Sequence, residues 1–262
     1  MKKLLFQSGA LLLLLSLSGC GGTKMVKEPE PLVVTQSLAN ASDQRLAATL
    51  DWVIVRDGPG TWAKNVDWDE YLIRVQNLTD DSIRVTNITV LDSLGTRIEI
   101  GEKRRQLVKA TKQAKRRYKG EGLKVKAGAG AGTLIVAGAV AGATGAAIAA
   151  SAGTWFTLGA GGWSGATTAG VAGGIILLPV LAVGGVFRGI NNSKVNKHIE
   201  SRQTLLPVVL QEEEEKSLDI FFPLTPSPRQ IEFIYVDSRG DHTLVIDTHT
   251  ALEGLHLVQP NE

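Results

Sequence analysis

The chain has 262 residues, a formal net charge of +2 and a single cysteine, which excludes an internal disulfide and leaves the fold to be held by packing alone. The small net charge hides a strong asymmetry: Glu102 to Lys126 carries eleven Lys or Arg against two Glu, a local +9 that leaves −7 for the remainder. Directly after it, residues 127–187 contain no Asp, Glu, Lys, Arg or His; sixty-one such residues are too many for one core helix and fit two membrane-spanning helices with a turn.

In chain order, residues 1–19 read as a signal peptide. Lys2 and Lys3 form a positive start, Leu11 to Leu15 centre an apolar stretch, and the segment ends in small residues. Leu17-Ser18-Gly19-Cys20 closely resembles the lipobox of bacterial lipoproteins. The resemblance implies that the signal is removed and that Cys20 becomes a lipid-modified N-terminus. Gly21 and Gly22 are not acidic, and in such proteins this implies export to the outer membrane, with the folded domain in the periplasm. Each buried acyl methylene would contribute about 0.8 kcal/mol to anchoring.

Residues 20–44 mix Gly, Lys, Glu, Pro, Thr and Ser without period, so a lipidated flexible tether is expected. Residues 45–100 then carry strand signals. Leu50 to Arg56 is apolar and β-branched and ends in Asp57-Gly58-Pro59-Gly60; Tyr71, Ile73 and Val75 alternate with Arg74 and Gln76. Ile83 and Val85 keep the odd-numbered face but Ile88 and Val90 switch to the even, which predicts a bulge near Thr86-Asn87.

Strand character returns in residues 191–250, at Leu205 to Gln211, Ser217 to Phe222, Gln230 to Asp237 and Thr243 to Asp247; residues 251–262 are expected as a C-terminal tail. Neither half alone can close two sheets, so one mainly β domain with a large insertion is expected. The run Tyr71 to Asn77, followed by Val90-Leu91-Asp92-Ser93-Leu94-Gly95, is similar to small immunoglobulin-like domains of bacterial envelope proteins. The resemblance implies an immunoglobulin-like β-sandwich interrupted by a basic helix and a Gly/Ala-rich α-helical hairpin.

Residues 101–126 predict that basic helix, with Leu107, Thr111, Ala114 and Tyr118 at helical spacing. Lys103, Arg104, Arg105, Lys112, Arg116, Arg117, Lys124 and Lys126 are candidates for contact with anionic head groups, each near-surface charge contributing about 1 kcal/mol. The alternative is a solvated helix facing acidic surface such as Glu212 to Glu215. Nucleic acid would suit the charge but not the compartment.

The hairpin is assigned to residues 127–190, with arms at about 133–150 and 166–187. Gly138, Gly142 and Gly145 in the first arm and Gly170, Gly174 and Gly184 in the second supply small-residue faces on which helices pack closely in lipid. Only Leu134, Ile135, Val136, Val140 and Ile148 favour insertion strongly in the first arm, so it needs its partner. The tract is similar to glycine-zipper hairpins of outer-membrane lipoproteins. A soluble helical pair buried between protomers is the alternative.

No catalytic or metal-binding constellation emerges, and no cofactor or small-molecule substrate is implied. From Gly128 or Gly130 the third glycine of a dinucleotide motif would fall on Thr133 or Ile135, and Ser164 is out of register for a nucleophile elbow. His198, His242, His249 and His256 read as surface residues. The sequence therefore points to a non-enzymatic envelope lipoprotein with a structural or assembly role, its partners being membrane lipids and either copies of itself or an envelope protein. A pore or membrane-perturbing oligomer of hairpins is the competing expectation.

Overall fold

The computed structural model describes residues 23–29, 32–128, 176–177 and 192–258. Cys20 and the glycines at 138, 142, 145, 170, 174 and 184 lie outside them, as do the signal segment and nearly all of the hairpin.

The described chain is mainly β and antiparallel. Short strands β1 (Lys24–Met25) and β2 (Val33–Val34) precede β3 (Ala39–Ser42), β4 (Leu46–Ile54), β5 (Ala63–Lys64), β6 (Trp68–Asn77), β7 (Ile83–Leu91) and β8 (Arg97–Glu99). Helix α1 (Arg104–Gly120) follows. After β9 (Ile176–Leu177) come helix α2 (Asn192–Arg202) and strands β10 (Val208–Leu210), β11 (Glu215–Pro223), β12 (Gln230–Asp237) and β13 (Gly240–Asp247).

One sheet has the order β11-β6-β4-β3 and the other β10-β7-β12-β13, with β8 also paired to β7. Each sheet draws strands from both sides of the insertion, because β6 pairs with β11 while β7 pairs with β10 and β12. Period-two alternation sends Tyr71, Ile73, Val75, Leu218, Ile220 and Phe222 from the first sheet and Val85, Ile88, Ile231, Phe233 and Tyr235 from the second into one shared core. Each such fully buried side chain contributes about 1.5–3 kcal/mol.

Two bulges reset the alternation. The β7–β12 register slips so that Ile234 opposes Asn87 and Tyr235 opposes Val85, leaving Thr86 as the extra residue where the parity change places it. In β4 the slip falls between Leu50 and Trp52. The extra residue there, Asp51, accepts two hydrogen bonds from the Arg74 guanidinium at 2.7 and 2.9 Å. Leu50 and Val53 therefore both point inward, while Trp52 and Ile54 turn to the other face.

That other face of the first sheet is covered too. Leu32 and Val34 lie over Trp52, Ile54 and Leu72; Leu107 of α1 and Val195 and Ile199 of α2 lie over Trp62, Trp68 and Phe221. Helix α1 buries Leu107, Thr111, Ala114 and Tyr118, so its apolar stripe is used up in packing on the sheet. The helix ends where Gly122 takes φ +74°, the Leu123 N–H donates to the Tyr118 carbonyl at 2.8 Å and the Gly122 N–H to that of Lys119 at 3.1 Å.

The residues behind the immunoglobulin-like resemblance are turn anchors. The Asn77 amide donates to the carbonyls of Asp81 and Gln211 at 2.7 and 2.8 Å. The Asp92 carboxylate accepts from the N–H groups of Leu94 and Thr96, and Gly95 takes φ +76°.

Three expectations are corrected. The segment assigned as a tether contributes β1, β2 and β3, the last pairing with β4. The expected C-terminal tail is folded through residue 258: Leu252 and Leu255 are buried, and the Ser227 N–H donates to the Leu255 carbonyl at 2.9 Å. At Ile176–Leu177, inside the second expected helical arm, the chain is instead extended and antiparallel to Val33–Val34, two backbones meeting each other's ladder groups.

Candidate functional site

Two buried acidic residues and their partners frame the uncharged insertion. Adjacent residues of a strand point to opposite faces, and Asp69 and Glu70 of β6 are both fully buried as a result. The strand is flanked by β4 on one side and β11 on the other, so it is an interior strand of its sheet.

Asp69 serves the point where the insertion leaves. Its carboxylate Oδ2 lies 2.7 Å from His256 Nε2, and His256 Nδ1 lies 2.9 Å from the Gly128 carbonyl oxygen. Around this contact the chain before the tract is stitched to the C-terminal segment. The Val258 N–H donates to the Lys124 carbonyl, the Lys126 N–H to the His256 carbonyl, and Val125 bridges Leu257. Gly128 takes φ +98°, and a Cβ there would lie 3.0 Å from the Arg56 carbonyl oxygen, so only glycine fits without strain. Burial raises the Asp69 carboxyl above its ordinary range, and the charges of His256 and Arg56 partly offset this.

Glu70 serves the point where the insertion returns. Its Oε1 accepts from Arg202 Nε at 2.7 Å and its Oε2 from the Trp62 indole N–H at 2.8 Å. Arg202 is the last residue of α2, the helix that opens just after the tract, and its guanidinium also reaches Asp219 at 3.8 Å. Burial again raises the carboxyl, against the lowering charge of Arg202. His198, one turn earlier, lies over Trp62 with ring centroids 4.3 Å apart; burial and the Arg202 charge push its pKa down to about 4.

The chemistry of the His256 pair is structural. A carbonyl oxygen can only accept, so Nδ1 carries a hydrogen, and Nε2 shares one proton with Asp69. No ring nitrogen is left to abstract a proton from a substrate, and the pair is closed to solvent. Among the described residues no group of three or more His, Cys, Asp or Glu is placed to hold a metal ion.

The expectation that the histidines are surface residues fails at His256, which is fully buried because its acidic partner comes from a strand 187 positions earlier. Of the basic candidates, Lys103, Arg105, Lys112, Arg116, Lys124 and Lys126 are exposed. Arg104 and Arg117 are half-buried and turned toward the domain, Arg117 pairing with the buried Asp92 at 3.2 Å. Lys115 pairs with Asp67, so the acidic partners of α1 are Asp67 and Asp92 rather than Glu212 to Glu215.

Sequence reasoning missed Asp69, Glu70, Arg202 and His256. The available signal was two adjacent acids, Asp69 and Glu70, at the start of an alternating strand: whichever face met the core, one carboxylate had to enter it, and the packed outer face took the other. No protein-family model matches this chain, and no curated protein or solved structure shows significant similarity to it.

Proposed function

We propose that this chain is a bacterial outer-membrane lipoprotein, anchored through Cys20, whose immunoglobulin-like β-sandwich mounts the uncharged tract as a second, membrane-seeking attachment. It acts structurally or in envelope assembly, through self-association or a protein partner. The observation that carries this is the placement of Asp69 and Glu70. Neighbouring carboxylates on one strand hold the departure and the return of a tract without a single charge, and each sheet pairs strands from both sides of it. The lipobox residues Leu17 to Cys20 supply the address.

Among the described residues no helix is long and apolar enough to cross a membrane, and the membrane-seeking role rests on the composition of residues 127–187. The pairing of Ile176–Leu177 with Val33–Val34 favours a second arrangement, in which the later arm folds back on the domain and the small residues meet another copy of the chain. Density-gradient separation of envelopes tests the main proposal. The protein is expected with the outer membrane, and Cys20→Ala is expected to leave it. Recovery in the soluble or inner-membrane fraction, or an unmoved Cys20→Ala chain, would contradict the proposal.

A further inference from the structure

Helix α1 carries a second stripe opposite the one it buries. Arg105, Lys109, Lys112, Arg116 and Lys119 follow one another at intervals of four and three residues, and all five are exposed. At about 1.5 Å per residue they form a line about 21 Å long on one face. None of the five side chains has an ion-pair or hydrogen-bond partner among the described residues, and residues 104–120 contain no Asp or Glu. Like charges three and four residues apart repel, so the stripe weakens the helix unless an anionic surface meets it.

The buried stripe fixes where this line points. Because Leu107, Thr111, Ala114 and Tyr118 are buried against the domain, Thr111 bonding Asp67 and Leu224 and Tyr118 bonding Ser93 and Pro226, the cationic line faces away from it. Gly120 ends the helix six residues before the last cation, Lys126, and the uncharged tract starts at the next residue. A flat anionic surface reached by the tract would therefore lie alongside α1.

We propose that the Arg105-Lys109-Lys112-Arg116-Lys119 face of α1 docks flat on the anionic phospholipid head groups of the membrane that holds the tract. This inference rests on the membrane attachment proposed above. It deepens it by setting the orientation of the domain: first sheet toward the lipid, second sheet away. Charge complementarity and the adjacency of stripe and tract select a lipid surface over an acidic protein.

The test uses the full mature chain reconstituted in vesicles of phosphatidylcholine alone or with phosphatidylglycerol. Acylation of Cys20 leaves Lys112→Cys as the one free thiol for a fluorophore, and vesicles carry a head-group quencher. Quenching at position 112 is expected to be at least about fivefold greater on anionic vesicles, the gain expected from even one near-surface charge. It should fall in about 0.5 M salt, where screening acts within about 4 Å. A label at Asp241→Cys on β13 should stay unquenched. Equal quenching on both vesicles, or none at position 112 in a membrane-bound chain, would overturn the inference. So would quenching that appears only when an envelope protein extract is added, which would identify an acidic protein as the occupant. Outer-membrane recovery of the unmodified chain is scored separately, so loss of docking alone leaves the proposed function standing.

Discussion

Asp69 and His256, 187 positions apart, share a hydrogen bond of 2.7 Å in a site with no solvent exposure, and the same imidazole holds the carbonyl of Gly128. A contact that long in sequence and that dry makes the C-terminal segment part of the fold and fixes the residue from which the uncharged tract departs. Removing one member leaves the other buried without its partner, whereas removing both removes the polar problem.

His256→Ala should therefore destabilise the domain by about 3–5 kcal/mol. Asp69→Leu combined with His256→Leu should cost clearly less than the sum of the two single changes. Denaturant unfolding of the four proteins in a double-mutant cycle measures this, and strict additivity would show that the pair is not coupled.

Glu70, 1% exposed, gives an asymmetric expectation for the other root. Arg202→Leu strands the carboxylate and should cost about 3 kcal/mol. Glu70→Gln keeps an acceptor for the Trp62 N–H and should recover much of that loss in the Arg202→Leu background. Unfolding midpoints decide it: no recovery by Glu70→Gln would show that Arg202 acts through packing alone.

The pH dependence has a definite sign at His198. Its folded pKa of about 4 lies below the ordinary 6.5, so the unfolded chain binds the proton more readily. Stability should be full above about pH 6.5 and decline as pH falls toward 4. Asp69 and Glu70 are raised, so their contribution changes in the opposite sense, decreasing as pH rises from the ordinary carboxyl values. His198→Phe keeps a ring on Trp62 without a proton site. Its melting temperature should fall less between pH 7 and pH 5 than that of the parent, and an equal fall would remove His198 as the cause.

The regular parts of the fold were legible because they obey simple periods. Gln230 to Asp237 alternates and is a strand; Leu107, Thr111, Ala114 and Tyr118 recur at helical spacing and form the buried face of α1. The parity change between Val85 and Ile88 marked the Thr86 bulge. By contrast, Ala39-Asn40-Ala41-Ser42 alternates only with alanines, too short and too weakly apolar to read as a strand from the sequence, and it pairs along β4. The Asp51 bulge was marked only by one acid inside the apolar run Leu50 to Val55, where no period separates a bulge from a surface position. The roots of the insertion were illegible because their chemistry is a matter of juxtaposition. His256 finds Asp69, and Arg202 finds Glu70, only after the sheets have paired across the tract.

Under the proposed function the β-domain mounts the uncharged tract as an attachment to the bilayer separate from the acyl anchor. Flotation with zwitterionic vesicles tests it most directly, since these give the cationic stripe of α1 nothing to bind. Two chains are compared, both Cys20→Ala, one of them with residues 129–191 replaced by a short Gly/Ser linker. The first is expected to float with the vesicles and the second to remain at the bottom of the gradient. Equal flotation of both, or failure of the first to float, would contradict the account.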